Sequence, residues 1–141
     1  MAFWLALAIC LTPNAARPSV EFTEDSLEVV QKNIAKKKAV LVDVRSKEEW
    51  DEGHLEGSIF LPVTSLRKHS LDEKKLAKTL PKKKILYTFC VVGMRAKAAG
   101  NILEKQGYPV RVLKPGYEEL IEAGFKKGKR KEKAEKAAAD E

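Results

Sequence analysis

The chain has 141 residues, 44% of them hydrophobic, which suits one soluble globular domain. No apolar run reaches the ~20 residues that a membrane-spanning helix needs, so stable membrane insertion is not expected. The net charge of +7 leaves a basic surface, but no aromatic residue interleaves with the lysines of the C-terminal stretch, so nucleic acid is not an expected partner.

Residues Phe3 to Leu11 (FWLALAICL) form an uncharged run of signal-peptide length, and Thr12-Pro13-Asn14 with Ala15-Ala16 offers a cleavage point near Ala16. No Lys or Arg precedes the run, and the alternative is a first strand or helix of the fold. The expectation is a signal peptide over residues 1–16 and a periplasmic or secreted protein, or a cytoplasmic one if the segment is not a signal. Once that segment is removed, Cys90 is the sole cysteine. It then has no intramolecular disulfide partner, and any sulfur exchange involves a second molecule.

Thr23 reads as a helix N-cap, and Ser26 to Ala35 places Leu27, Val29, Val30 and Ile34 at helical spacing. Lys36-Lys37-Lys38 favours the C-terminal end of that helix. Ala39 to Val44 is a short, nearly all-apolar strand of the kind found in parallel sheets covered on both faces. Ser46 caps a short helix with Glu48, Glu49 and Trp50 that stops at Gly53. Ser58 to Val63 reads as a short or edge strand with Pro62 near its end. Thr64 to Leu80 starts charged and irregular, then turns helical through Leu71, Leu76 and Leu80.

Pro81-Lys82-Lys83-Lys84 is a surface turn into Ile85–Phe89, an apolar, β-rich run with the length of a buried strand. Arg95 to Gln106 spaces Ala98, Ala99, Ile102 and Leu103 as a helix, and Gly107 stops it. Val110 to Leu113 is a last strand, Pro115-Gly116 a turn, and Tyr117 to Ala123 a closing helix. Residues 126–141 (KKGKRKEKAEKAAADE) are rich in Lys, Ala and Glu and read as a basic, solvated, low-complexity tail. Strands alternate with helices, so the fold class is α/β: a three-layer domain over residues 17–125 with a mainly parallel central sheet and helices on both faces. Sites in such sheets lie at the carboxyl ends of the strands, where Cys90 and Asp43-Val44-Arg45 both fall.

Cys90 ends the buried strand, and Arg95 opens a helix five residues later. A free thiol titrates near about 8.5, and a helix N-terminus or a nearby Arg lowers that value by favouring the thiolate, the nucleophilic form. Amides of a tight loop before a helix point inward and bind anions. Gly93 sits mid-loop, where a backbone curling around one sulfur needs φ > 0. The spacing alone also admits an inert, buried cysteine at a strand end. His54 and His69 are the only histidines, and no Walker-type or GxGxxG loop is present, so neither a metal nor any other cofactor is expected.

In order along the chain, Leu41-Val42-Asp43-Val44-Arg45, Glu49-Trp50, Gly53-His54-Leu55-Glu56-Gly57-Ser58, Leu61-Pro62 and Cys90-x-x-Gly93-x-Arg95 resemble the rhodanese (sulfurtransferase) domain, from about Phe22 to Phe125. The resemblance implies a rhodanese-like fold and single-domain thiosulfate sulfurtransferase activity. Cys90 would take sulfur from a donor such as thiosulfate, carry it as a persulfide, and give it to cyanide, a small thiol or a protein acceptor. The amides of Val91, Val92, Gly93, Met94 and Arg95 would hold the sulfur.

Arg95 either faces the donor's oxygens or pairs with an acid, for which Glu49 is the candidate. Arg45 is either a substrate contact or a surface ion pair. Asp43 and His54 support the site, the first buried at a strand end and the second fixing a turn, and Trp50 packs the helix. Ala96 stands where the family commonly has Ser, Pro115-Gly116 where it has two glycines, and Leu120 where it often has an aromatic. None of these is expected to touch the nucleophile. Val91 and Val92 make an apolar loop that disfavours highly charged donors.

Three rival functions remain. A Cys-dependent phosphatase uses Cys-x5-Arg, one residue longer than the Cys-x4-Arg found here, and Phe89 stands where its His commonly precedes the Cys. A docking or persulfide-carrier module would use the same fold without turnover. A thiol oxidoreductase would want Cys-x-x-Cys, and position 93 is Gly.

Overall fold

The computed structural model describes residues 19–68 and 72–129. The signal-like run with its cleavage point, the expected helical position Leu71 and the tail beyond residue 129 lie outside the described residues. The elements run α1 (Leu27–Ala35), β1 (Ala39–Asp43), α2 (Lys47–Glu52), β2 (Ile59–Phe60), α3 (Val63–Arg67), α4 (Glu73–Thr79), β3 (Ile85–Phe89), α5 (Met94–Lys105), β4 (Val110–Val112) and α6 (Tyr117–Glu122). The sheet has the order β2-β1-β3-β4, with every neighbouring pair parallel. Among the described residues no helix is long and apolar enough to cross a membrane.

The pleat divides the core into two halves. Val42, Val44, Leu86 and Cys90 lie with Leu66 of α3, Leu76 of α4 and Ala96, Ala99 and Leu103 of α5. Ala39, Leu41, Tyr87 and Phe89 lie with Val30 of α1 and with Tyr117 and Leu120 of α6. Alternate residues of β1 and β3 thus feed opposite cores, which is why both strands read as continuous apolar runs. The result is the expected three-layer α/β architecture.

Local differences have local causes. Ser26, not Thr23, caps α1, its side chain accepting from the Val29 amide. Thr23 is held elsewhere, donating its own N–H to the Val112 carbonyl at 2.8 Å while Phe22 bridges to Val112. The strand expected over Ser58–Val63 shrinks to Ile59–Phe60, because Pro62 becomes the N-cap of α3. The stretch after Thr64, expected to be irregular, opens instead inside α3, which buries Val63 and Leu66 three residues apart. Lys126 and Gly128, assigned by composition to the tail, pair with the turn after α2: Glu56 N–H donates to Lys126 O and Gly128 N–H to His54 O, both at 2.8 Å.

Gly100 brings α5 close to β4. A Cβ there would lie 2.7 Å from Val112 Cγ2 and 3.4 Å from Val110 Cγ1. Alanine gains about 1 kcal/mol of helix propensity over glycine, whereas overpacking against a stiff β-branched partner costs about 1–3 kcal/mol. Gly100→Ala is therefore expected to lower unfolding stability by about 1 kcal/mol in urea titration. In a double-mutant cycle with Val112→Ala, the Gly100→Ala change should turn neutral or stabilising. A cycle with no coupling would show that this contact does not set the spacing.

Candidate active site

The carboxyl ends of β1 and β3 stand side by side, with Asp43 opposite Phe89 and the Val44 N–H donating to Phe89 O at 3.2 Å. Cys90 leaves β3 with only 1% of its surface exposed. The chain then curls over Val91, Val92 and Gly93 into α5, and the Gly93 amide donates to Cys90 Sγ at 3.1 Å. Gly93 caps α5 in the left-handed region, φ 88°, as the sequence predicts. A Cβ on it would also lie 2.7 Å from the Phe22 ring, so backbone angle and available space both require glycine.

The back of the loop is closed by α6. Tyr117 N–H donates to the Cys90 carbonyl at 3.0 Å. A Cβ on Gly116 would collide with the Val91 carbonyl, sitting 2.7 Å from its carbon and 2.9 Å from Val91 Cα. This contact belongs to Gly116, which matches the family's glycine, and not to Pro115, the residue that departs from it. Glycine stands at the position of that pair where the two backbones meet. Of the other two departures, Ala96 and Leu120 both lie fully buried in the core, and the Ala96 carbonyl accepts from Thr88 Oγ1.

Sequence reasoning also missed Phe22, which reaches Gly93 only because its segment runs along β4. Gly116 left a signal, the turn dipeptide before the last helix, but Phe22 left none.

Arg95 and Glu49 meet as a two-pronged ion pair, Nη1 to Oε2 at 2.6 Å and Nη2 to Oε1 at 2.9 Å. Glu49 also closes a capping box with Ser46, accepting from its N–H at 2.8 Å. Hydrogen bonding from Arg95 is the main reason its carboxyl is lowered to about 2. Arg95 is raised in turn, first by Glu49 and further by the nearby Cys90 sulfur. Of its two readings, the structure matches the pairing that shapes the loop. The pair joins the start of α2 to the start of α5 across the sheet edge.

Arg45 does make an ion pair, but inside the core and not at the surface. It is 4% exposed, and its Nη2 donates to Asp43 Oδ2 and to the Gly53 carbonyl, both at 2.7 Å. Its guanidinium lies 4.2 Å from the centre of the Tyr117 ring. Residues 43 and 45 share a pleat face, which turns Arg45 into the core beside Asp43 and away from solvent. Asp43 is fully buried and also accepts from the Arg45 backbone N–H at 3.0 Å, in keeping with a supporting role. His54 stacks on Trp50 at 4.0 Å, and its Nδ1 lies 3.3 Å from the Trp50 carbonyl, which places it in the turn.

The outer rim of the loop is apolar and open to solvent: Val91 is 47% exposed, Val92 72% and Met94 68%. Beside it lies a cleft of about 410 Å³ lined by Arg67, Met94, Arg95, Lys97, Ala98 and Asn101. Among the described residues no group of three or more His, Cys, Asp or Glu side chains is placed to hold a metal ion.

Two consequences can be measured. Glu49→Gln keeps a capping acceptor for Ser46 and removes the charge. A carboxyl with a lowered pKa adds stability that is present above its unfolded value of 4.5 and is lost as pH falls toward about 2. The pair is partly exposed and screened, so the variant should be about 1 kcal/mol less stable at neutral pH. Urea titrations repeated from about pH 6 down to about pH 3 should show the gap closing, and a gap independent of pH would deny the ion pair any role. Gly116→Ala should cost about 1–3 kcal/mol and shift the amide resonances of Val91 to Gly93 in an NMR spectrum. A stable variant with unmoved resonances would refute the backbone contact.

The model of the rhodanese-like domain matches residues 26–123. A protein of Porphyra purpurea named "probable molybdopterin-synthase adenylyltransferase" is 35% identical over 79 residues, which is 56% of this chain and only 19% of that relative's length. A rhodanese-related protein of Thermoplasma volcanium superposes with a TM-score of 0.58 at 26% identity, over 72% of this chain and 93% of that one. The single-domain sulfurtransferase RDL2 of Saccharomyces cerevisiae does so with a TM-score of 0.58 at 26% identity, over 73% and 95%. With Cys90 at the mouth of a curled loop and the family pattern running from α1 to the end of α6, this chain belongs to the rhodanese-like domain family.

Proposed function

We propose that the protein is a sulfurtransferase that moves a sulfane sulfur from a donor such as thiosulfate to a thiophilic acceptor through a persulfide on Cys90. The observation that carries this reading is the Gly93 amide donating to Cys90 Sγ at 3.1 Å, within a loop that leads into the N-terminus of α5. Amide donors fixed around a sulfur stabilise negative charge on it without reorganising during reaction.

In the first step the Cys90 thiolate attacks the outer sulfur of thiosulfate. A Cys90 S–S bond forms, the donor's S–S bond breaks, and sulfite leaves with the electron pair. In the second step cyanide or a thiolate attacks the outer persulfide sulfur, and Cys90 departs as thiolate. The oxidation level of the enzyme is the same before and after the cycle. The catalytic residue is Cys90, and the backbone of Val91 to Arg95 is the binding cradle. Asp43, Arg45, Glu49 and Arg95 are positioning residues.

The phosphatase alternative needs an Arg free to clamp phosphate, and here both prongs of Arg95 are taken by Glu49. A docking or carrier module without turnover would use the same fold, and the experiment separates the two. Intact-protein mass spectrometry after thiosulfate should show a gain of one sulfur atom, lost on adding cyanide with thiocyanate released, and no gain in Cys90→Ser. A folded protein that gains no sulfur from thiosulfate or from a small persulfide donor would rule out the enzyme.

A further inference from the structure

We infer that the apolar rim of the Cys90 loop and the basic cleft beside it form a docking surface for an acidic, apolar protein segment that carries the accepting thiol. This rests on the sulfurtransferase reading and gives its acceptor a chemistry.

Among the described residues the large apolar side chains that stand exposed are Val29, Val91, Val92 and Met94, so three of the four ring one cysteine. A lone exposed apolar residue is ordinary, but a cluster marks a surface that something covers. The cradle itself does not need these side chains, since the amide of Gly93 holds the sulfur. Cys90 is nearly buried, and the side chains that its loop exposes are those of the rim.

Met94 belongs to both the rim and the cleft, so the two surfaces are continuous. The cleft adds positive charge. Arg67 is exposed and makes no ion pair among the described residues. Lys97 pairs at 3.1 Å with Glu21, whose side chain is 76% exposed, an exchangeable pair that a partner's carboxylate can replace.

Charge selects among the occupants. A second copy would set one basic cleft near another in a chain of net charge +7, and like charges at an interface cost affinity. A nucleic acid would answer the cleft and leave the apolar rim in water. An acidic segment with apolar side chains satisfies both surfaces. The patch is small, which suits a complex that must part after one transfer. In that transfer the segment's thiolate attacks the outer sulfur of the Cys90 persulfide (Cys90–S–SH). The Sγ–S bond breaks, a new S–S bond forms on the segment, and Cys90 leaves as thiolate with no net oxidation.

The test loads the full chain with one sulfur on Cys90 and offers it two synthetic peptides of equal length, each with a single Cys. One is flanked by Leu, Asp and Glu, the other by Ser and Lys. Single-turnover transfer, followed by mass spectrometry, should be at least about tenfold faster to the acidic apolar peptide, with most of the advantage lost in high salt. Arg67→Glu should lower the rate to that peptide several-fold and leave release to cyanide unchanged.

Equal rates to the two peptides, or an Arg67→Glu variant that transfers as fast as wild type, would overturn the docking surface. So would sedimentation showing a dimer that Arg67→Glu strengthens. Cyanide that still discharges the persulfide in such a case leaves the sulfurtransferase reading standing. If Cys90 takes up no sulfur from any donor, fluorescence anisotropy with the Cys→Ser forms of both peptides still reads docking. Tighter binding of the acidic peptide then keeps the surface and removes the enzyme.

Discussion

Two stretches of backbone and one aromatic ring meet behind Cys90 more closely than a Cβ on either glycine would permit. Gly93 turns through positive φ against the Phe22 ring, Gly116 abuts the Val91 carbonyl, and Tyr117 N–H holds the Cys90 carbonyl. The curl of the loop is thus not a local property of Cys90 to Arg95. It is set by the segment before α1 on one side and the start of α6 on the other. Tyr117 transmits the constraint further. Its ring lies against the Arg45 guanidinium, and its hydroxyl lies 2.7 Å from where a Cβ on Gly53 would be, so the end of α2 and the start of α6 close on each other.

Arg45 and Arg95 lie at the same sheet edge and hold it in different ways. Arg45 pairs inside the core, and removing Asp43 alone would leave an uncompensated buried charge, a loss of about 3–5 kcal/mol. Arg95 pairs near the surface, where water shares the charge and the energy at stake is smaller. The inner pair therefore fixes where β1 ends and where Tyr117 sits. The outer pair ties the start of α2 to the start of α5. Neither guanidinium is needed at the sulfur for this geometry to hold.

The apolar runs of β1 and β3 and the Cys90–Gly93 turn were legible in the sequence because each rests on local spacing, whereas Glu49 was legible only as a candidate partner for Arg95 through the family pattern, with a donor contact as the alternative. The inward turn of Arg45 was legible in principle, since positions 43 and 45 share a pleat parity, but charge argued for the surface and burial won through the ion pair. Helix α3 was not legible, because one turn with two inward residues carries no period to detect. The role of Phe22 was not legible either, because its contact is made only after the sheet has assembled, and Gly116 was legible as part of a turn but not as a neighbour of Val91. Thr23 shows the same limit. It had the right chemistry to cap α1, but its Oγ1 accepts the Asp25 N–H at 3.2 Å and Ser26 caps the helix instead.

A cradle built from amides separates two tasks that side chains usually share. The peptide groups around Cys90 supply partial positive charge whatever residues bear them, given a glycine where φ demands it. The side chains of Val91, Val92 and Met94 are thereby released from holding the sulfur, and they face outward. Arg95, the charged residue closest to the loop in sequence, is balanced by Glu49, so it adds little net field at the mouth. On the proposed docking surface, recognition would fall to apolar contact at the rim and to the charge of Arg67, which makes no ion pair among the described residues. A sulfur held by the main chain can keep its chemistry while the rim changes what is allowed to approach it.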